Sequence, residues 1–187
     1  MNIPWGSKVA EKFITNVGLI TSDGPIGPNI MACEWTHHIS YSPGLIAICI
    51  GHNSATTKNI RKTKQFGVNL CATDQNVMSS VAGGYSGKET DKISALKELG
   101  FGFYKAKKIK APMVKGAAAN IECRMFKEIT IGDHIVFVGK AVAVSASNKE
   151  PIAYHQGKYW SMTKNVRKPS DSKRKKIREI AEKFSRS

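Results

Sequence analysis

AAANIECRMFKEITIGDHIVFVGKAVAVSAS, residues 117–147, decides the fold class of this chain. Ile121, Cys123 and Met125 alternate with Glu122, Arg124 and Phe126, the period-two pattern of a strand whose successive side chains face opposite sides of a sheet. Gly132 and Asp133 supply a hairpin turn, and β character resumes at His134. Working outward, TNVGLITSD (15–23) ends in the turn-former DGPIGPN. NIMACEWTHHIS (29–40) then reads as a second strand, closed by SPG. LIAICIG (45–51) has the apolar character of a strand buried on both faces, and FGVNLCA (66–72) repeats it. FGFYKA (101–106) adds another.

Two helices interrupt these strands. HNSATTKNIRKTKQ offers Ser54 or Thr56 as a cap, with Ile60 turned inward. TDKISALKELG offers Thr90 or Asp91 as a cap, an apolar stripe of Ile93, Leu96 and Leu99, and Gly100 as a stop. Six or seven strands with two short helices, rarely alternating strand for helix, predict a mainly β chain: a closed or nearly closed antiparallel barrel.

Composition sets the outer bounds. With 187 residues, 41% of them hydrophobic, the chain suffices for one buried core and is short for two. Four cysteines stand far apart without a C-x-x-C pair, the pattern of reduced thiols in a cytoplasmic protein. MNIPWGSKVAEKF lacks the continuous apolar segment of a secretory signal, and no run approaches the ~20 residues of a spanning helix. Net charge is +15, and ten of the 29 basic residues fall after Thr163 against three of the 14 acidic ones. Such a field attracts polyanions of any kind. Residues 1–163 are therefore read as the barrel and 164–187 as a basic tail. The tail is expected to form a helix capped at Asp171 or Ser172, packed on the body through Ile177, Ile180, Ala181 and Phe184. Binding of nucleic acid or acidic lipid by that helix is the competing expectation.

MACEWTHHIS (31–40) gathers a cysteine, a tryptophan and two histidines. In a continuous strand His37 and His38 point apart, so they do not share a metal, and no spacing singles out His52 or His134 as partners for Cys33. Cys33 as a nucleophile with His37 as base fails on reach, since the two lie ~13 Å apart along an extended strand. No G-x-G-x-x-G follows a strand, and GGYSGKE has Glu89 where a phosphate loop needs Ser or Thr. NSATTK remains. A helix start with unpaired N–H groups, hydroxyls, Lys58 and Arg61 suits a phosphate monoester, while plain capping explains the same residues. A strand of mixed donors followed by such a helix is what a mononucleotide such as FMN requires.

In the order of these features the chain resembles the flavin reductase-like FMN-binding split barrels, which include flavin reductases and flavoredoxins. The resemblance runs from about Val17 to Tyr159. It is carried by GLITSDGPIGPNIMACEWTHHIS, NSATTKNI, FGVNLCATDQ, the Thr-Asp-Lys of ETDKISAL and, most specifically, GDHIVFVGKAV. It implies that Met31, Ala32, Cys33, Glu34, Trp35 and Thr36 line the flavin ring and that Ser40 helps to hold the ribityl chain. It further implies that Asn53, Ser54, Ala55, Thr56 and Thr57 bind the phosphate, joined by Lys92. His134 would sit where nicotinamide docks, and Tyr159 would border it.

The implied activity is NADH- or NADPH-dependent reduction of flavin by a homodimer, with hydride passing to flavin N5. The nearest alternative is a flavoredoxin-like carrier that keeps its FMN and exchanges electrons with a partner protein. A nucleic-acid-binding barrel is the alternative from another class; low aromatic content, 8%, with no stacking platform counts against it. His37 and His38 are read as hydrogen-bonded interface residues, and Asp133 alone would account for His134 without the resemblance.

Overall fold

The computed structural model describes residues 1–184; the last three residues of the predicted tail, 185–187, lie outside the described residues. Seven antiparallel strands form one sheet in the order β3 (Asn29–Cys33), β2 (Gly18–Ser22), β6 (Gln65–Leu70), β9 (Ala119–Ile131), β10 (His134–Ala146), β5 (Leu45–Gly51) and β4 (Thr36–Ser40). A three-stranded sheet joins β1 (Thr15–Asn16), β11 (Ala153–His155) and β12 (Lys158–Trp160), and β7 (Phe103–Lys105) pairs with β8 (Pro112–Val114). The fold is mainly β, as the patterning predicts.

The connection between β3 and β4 explains why the large sheet curls. These strands are its opposite edges, yet only Glu34 and Trp35 separate them. Laid flat, seven strands at ~4.8 Å spacing hold their edges about 29 Å apart. Three chain steps from Cys33 to Thr36 reach at most ~11 Å. The sheet must therefore roll until its edges meet at this corner. Among the described residues no ladder pairs β3 with β4, so the barrel stays split along the rest of that seam.

Thr36 pins the corner: its Oγ1 donates to the Cys33 carbonyl at 3.1 Å, and its own carbonyl accepts from Asn16 Nδ2 at 2.8 Å. Gly18 is required beneath it, because a Cβ there would run into the Thr36 side chain. Thr36 is 2% exposed. Thr36→Val keeps the shape and deletes the donor, so it is expected to cost about 1–2 kcal/mol, read as a lowered urea midpoint at unchanged slope.

Inside the barrel, Ile20, Ile48, Ile50, Phe66, Val68, Cys123, Ile135 and Phe137 are all within 1% of complete burial. A second core, with Leu19, Ile30, Met78 and Leu96, packs α2 (Asn76–Gly84) and α3 (Lys92–Glu98) onto the outer side of the sheet. The β9–β10 hairpin turns at Gly132, at φ +55°, as expected from Gly132-Asp133. Ser54 caps α1 (Ala55–Thr63) by accepting from Thr57 N at 2.9 Å, and Asp91 caps α3 by accepting from Ser94 N at 3.0 Å. Ile60 is fully buried.

Several expectations need correction. NIMACEWTHHIS is two strands broken at Glu34-Trp35, because the sheet's edges must meet there. TNVGLITSD likewise divides, β1 leaving for the small sheet at Val17. LIAICIG is buried on one face only: Ile46, Ile48 and Ile50 point inward while Leu45, Ala47, Cys49 and Gly51 stay half-buried. Leu99 follows the last turn of α3 and is 56% exposed. Glu122 is buried despite its place on the polar side of the pattern, its carboxylate accepting from the backbone of Lys107 and Lys108 at 2.8 and 2.6 Å. The strand segments number twelve and the α-helices four among the described residues, more than predicted, because the two- and three-residue strands lack length for a periodic signal and α2 starts without a side-chain cap or an acidic first turn.

The tail helix α4 (Asp171–Lys183) is capped by Ser170, not Asp171 or Ser172, and it does not pack on the body: none of its residues is buried. No helix among the described residues is long and apolar enough to cross a membrane.

Candidate functional site

The corner that closes the barrel also opens a cavity of about 890 Å³. Met31, Ala32 and Cys33 from the end of β3, then Glu34 and Trp35 from the break, form one wall. Cys49, Ile50 and Gly51 of β5 and the Asp133-His134 turn face them, and Tyr154 with His155 comes from the small sheet. A smaller cavity of about 300 Å³ shares Ala32, Cys33, Glu34 and Tyr154 with it and extends to Ser79, Gly83 and Tyr159.

Glu34 and Trp35 lie outside any ladder. The Glu34 carbonyl accepts from Thr36 N and the Trp35 carbonyl from Cys49 N at 2.9 Å. Their own N–H groups meet no acceptor among the described residues. Two residues that line the cavity thus each carry a free N–H donor. Trp35, 45% exposed, lies with its ring centroid 4.7 Å from that of His134, tilted by 54°. His134 Nδ1 is held at 2.7 Å by Asp133 Oδ1, and this hydrogen bond keeps the Asp133 carboxyl below its usual range.

Burial decides the chemistry of the other groups. It pushes the Cys33 thiol up, and its Sγ is directed to the carbonyls of Cys49 at 3.4 Å and Trp35 at 3.6 Å. Cys33 is a protonated wall residue and not a nucleophile. Desolvation also raises the Glu34 carboxyl, and it raises the Tyr154 phenol with help from Glu34. Tyr159 donates to Ser79 Oγ at 3.0 Å and packs 5.6 Å from Tyr154.

Five of the sequence-predicted residues, Met31 to Trp35, meet His134 in the larger cavity, and Tyr159 lines the smaller one. The others lie elsewhere. Thr36 is buried in the seam, and Ser40 sits at the far end of β4 against Leu45. Asn53–Thr57 begin two residues beyond Gly51, outside the lining. There Thr57 Oγ1 donates to Gly51 O at 2.8 Å and Thr56 Oγ1 accepts from Asn29 at 2.9 Å, while the Ala55 and Thr56 N–H groups meet no acceptor among the described residues. His37 and His38 are exposed, and His38 stands edge-on to Tyr41 at 4.8 Å.

Lys92 is only 3% exposed, and its Nζ donates to the carbonyls of Ala82 at 2.9 Å and Tyr85 at 3.1 Å, closing the end of α2. Burial lowers its pKa to about 8. The unfolded chain thus holds this proton more tightly, so Lys92 contributes a stability that rises as pH climbs from about 8 toward the ordinary lysine value. Unfolding midpoints at pH 7.5 and 9.5 (about neutral and alkaline of that pKa) should show an upward increment in the native chain that Lys92→Met lacks.

Sequence reasoning missed the N-terminal arm: Ile3, Trp5 and Phe13 line the larger cavity although they precede the first strand. Their only signal is apolar character in an otherwise polar segment.

A split antiparallel barrel with a cavity at its closing corner defines the class of protein, and comparison with known proteins specifies it. The model of the flavin reductase like domain matches residues 10–163, so the chain belongs to that family. It is 34% identical over 118 residues to an uncharacterized protein of Archaeoglobus fulgidus, an alignment covering 63% of this chain and 65% of the relative, short of two thirds of its length. It is 22% identical to the FMN reductase (NADH) RutF of Serratia proteamaculans, over 79% of this chain and 81% of that protein. The flavoredoxin of Methanosarcina acetivorans shares the fold with a TM-score of 0.77 at 19% identity, covering 94% of this chain and 97% of the other.

Proposed function

We propose that this chain is a flavin reductase that binds FMN at the β3–β4 corner and reduces it with NADH or NADPH. The carrying observation is the cavity that gathers Met31–Trp35 opposite Asp133-His134 in about 890 Å³, within the range of ligand pockets. Its donors fit the flavin: the unpaired N–H groups of Glu34 and Trp35 match a ring edge bearing carbonyl and nitrogen acceptors, and the start of α1 offers two more for a phosphate. When bound, the flavin supplies hydride acceptance at N5 and onward electron transfer.

The protein's own residues bind and orient. Asp133 fixes the His134 ring through Nδ1, and Trp35 supports that ring from the break between β3 and β4, so a nicotinamide meets a preset surface. Burial keeps the Cys33 thiol protonated, which removes a competing nucleophile. Ile3, Trp5 and Phe13 add apolar surface to one side of the cavity while remaining largely exposed themselves. The exposed apolar residues Ile39, Tyr41, Phe126 and Val144 support a homodimer, and four free thiols support a reducing, cytoplasmic setting. The acceptor of the reduced flavin is proposed to be a partner enzyme.

The test is the visible spectrum of the purified protein after incubation with FMN and desalting, followed by anaerobic addition of NADH or NADPH. Retained flavin bands that bleach on addition are expected. Retained bands that do not bleach would instead identify a flavoredoxin-like carrier, and absence of saturable FMN fluorescence quenching would overturn flavin binding.

A further inference from the structure

Helix α4 stands apart from everything described above. It lies beyond the matched residues 10–163, it follows a fully exposed segment (161–170), and none of its side chains is buried. We propose that α4 is a peripheral anchor that lies on anionic membrane surfaces with its apolar stripe buried among the lipids.

Charge and apolar side chains are unevenly distributed around the helix. At 100° per residue, Ile177, Ile180, Ala181 and Phe184 fall on one face. Ile177, Ile180 and Phe184 are 49%, 46% and 79% exposed, so this face has no partner within the described chain. Lys173 lies in line with the stripe, Lys176 and Lys183 run along one border, and Arg174 and Arg178 along the other. Glu179, Glu182 and one cation, Lys175, fall on the opposite side, while Asp171 lies beside the Arg174–Arg178 border and is ion-paired with Arg174 at 2.7 Å. An interfacial helix needs this arrangement: apolar side chains inserted, cations level with the phosphates at the borders, and carboxylates turned to water.

Other occupants fit less well. The remainder of the chain also carries excess positive charge, 19 basic against 11 acidic residues in 1–163, so the body of a second copy repels α4. A nucleic acid would use the cations but has no need of the apolar stripe, because its binding is dominated by phosphate contacts. Three large apolar side chains alone give weak membrane affinity, and so do five cations alone; together they provide the two signals that stable attachment requires.

The test is co-sedimentation of the full chain with phosphatidylcholine vesicles, with and without phosphatidylglycerol. The chain is expected to pellet only with the anionic vesicles and to be released by high salt. Lys173→Gln/Lys176→Gln/Lys183→Gln should weaken binding on the order of a hundredfold, at about 1 kcal/mol per cation lost. Ile177→Ser/Ile180→Ser/Phe184→Ser keeps every charge and should weaken it by at least about tenfold. These positions are remote from the barrel, so an unchanged thermal transition verifies that the fold is intact. No pelleting by the native chain, or equal pelleting by the serine variant, overturns the proposal. So does tighter binding of a random single-stranded oligonucleotide that the serine variant retains, which would assign α4 to nucleic acid.

Discussion

Phe66→Ala is expected to destabilise the protein by about 3–5 kcal/mol, a large part of the ~5–15 kcal/mol that holds a domain of this size. Phe66 is fully buried near the start of β6 and belongs to the cluster that fills the barrel with Ile20, Ile48, Ile50 and Phe137. Two strands away, Gly139 leaves room for its ring: a Cβ at that position would come within 2.5 Å of Phe66 Cζ and 2.7 Å of Cys123 Cβ. Deleting the ring removes transfer free energy and leaves a void whose walls are ladder-bonded strands, which relax little. Guanidinium unfolding should therefore show a lower midpoint at unchanged slope. A loss below about 1 kcal/mol would mean that the barrel interior collapses readily, contrary to the packing described.

His134→Ala is expected to lower kcat/KM for flavin reduction by NADH or NADPH on the order of a hundredfold while FMN retention stays nearly constant. The expectation rests on the proposed function. His134 makes no contact with the free N–H groups of Glu34 and Trp35, yet its ring is held from two sides, by Asp133 Oδ1 at 2.7 Å and by Trp35 at 4.7 Å. Under the proposed function, a ring fixed in this manner would position nicotinamide against the flavin. Asp133→Asn keeps a hydrogen bond to Nδ1 and should cause a smaller loss. The low carboxyl pKa of Asp133 has a definite sign: the hydrogen bond from His134 to the Asp133 carboxylate contributes above the ordinary carboxylate range and is lost as pH falls through the depressed value. Rates in the native chain should thus fall in acid more steeply than in Asp133→Asn. A parallel drop in FMN affinity would reassign His134 to flavin binding.

The legible parts of the fold were those where one segment carries its own signal. The β9–β10 hairpin is readable because thirteen-residue strands give period two enough repeats and Gly132 marks the turn. The helix starts are readable because a short polar side chain before an apolar stripe satisfies them locally; sequence offered Ser54 or Thr56 and Thr90 or Asp91, and the fold uses Ser54 and Asp91. The cavity wall at Met31–Trp35 and the turn at His134 were legible through motif resemblance, and the barrel brings them together from positions a hundred residues apart.

Illegible residues are those whose partners are remote. Glu122 alternates like a surface residue, yet it is buried because the backbone of Lys107 and Lys108 happens to lie over it. Lys92 reads as a cation for phosphate, yet folding aims its Nζ at the carbonyls ending α2. Trp5 carries no periodic signal and enters the cavity only because the arm runs back across it. Sequence alone determined that the chain is mainly β, where its strongest strands and two helix caps fall, and that cations gather after Thr163, because periodicity, capping and charge are local properties. Tertiary structure alone decided that NIMACEWTHHIS breaks at Glu34-Trp35, that a cavity opens at that break, and that α4 stands free of the barrel. The first two follow from closing a seven-stranded sheet, whose edges are distant in pairing order and must be joined through space; the third follows from the barrel offering α4 no surface that buries its apolar stripe.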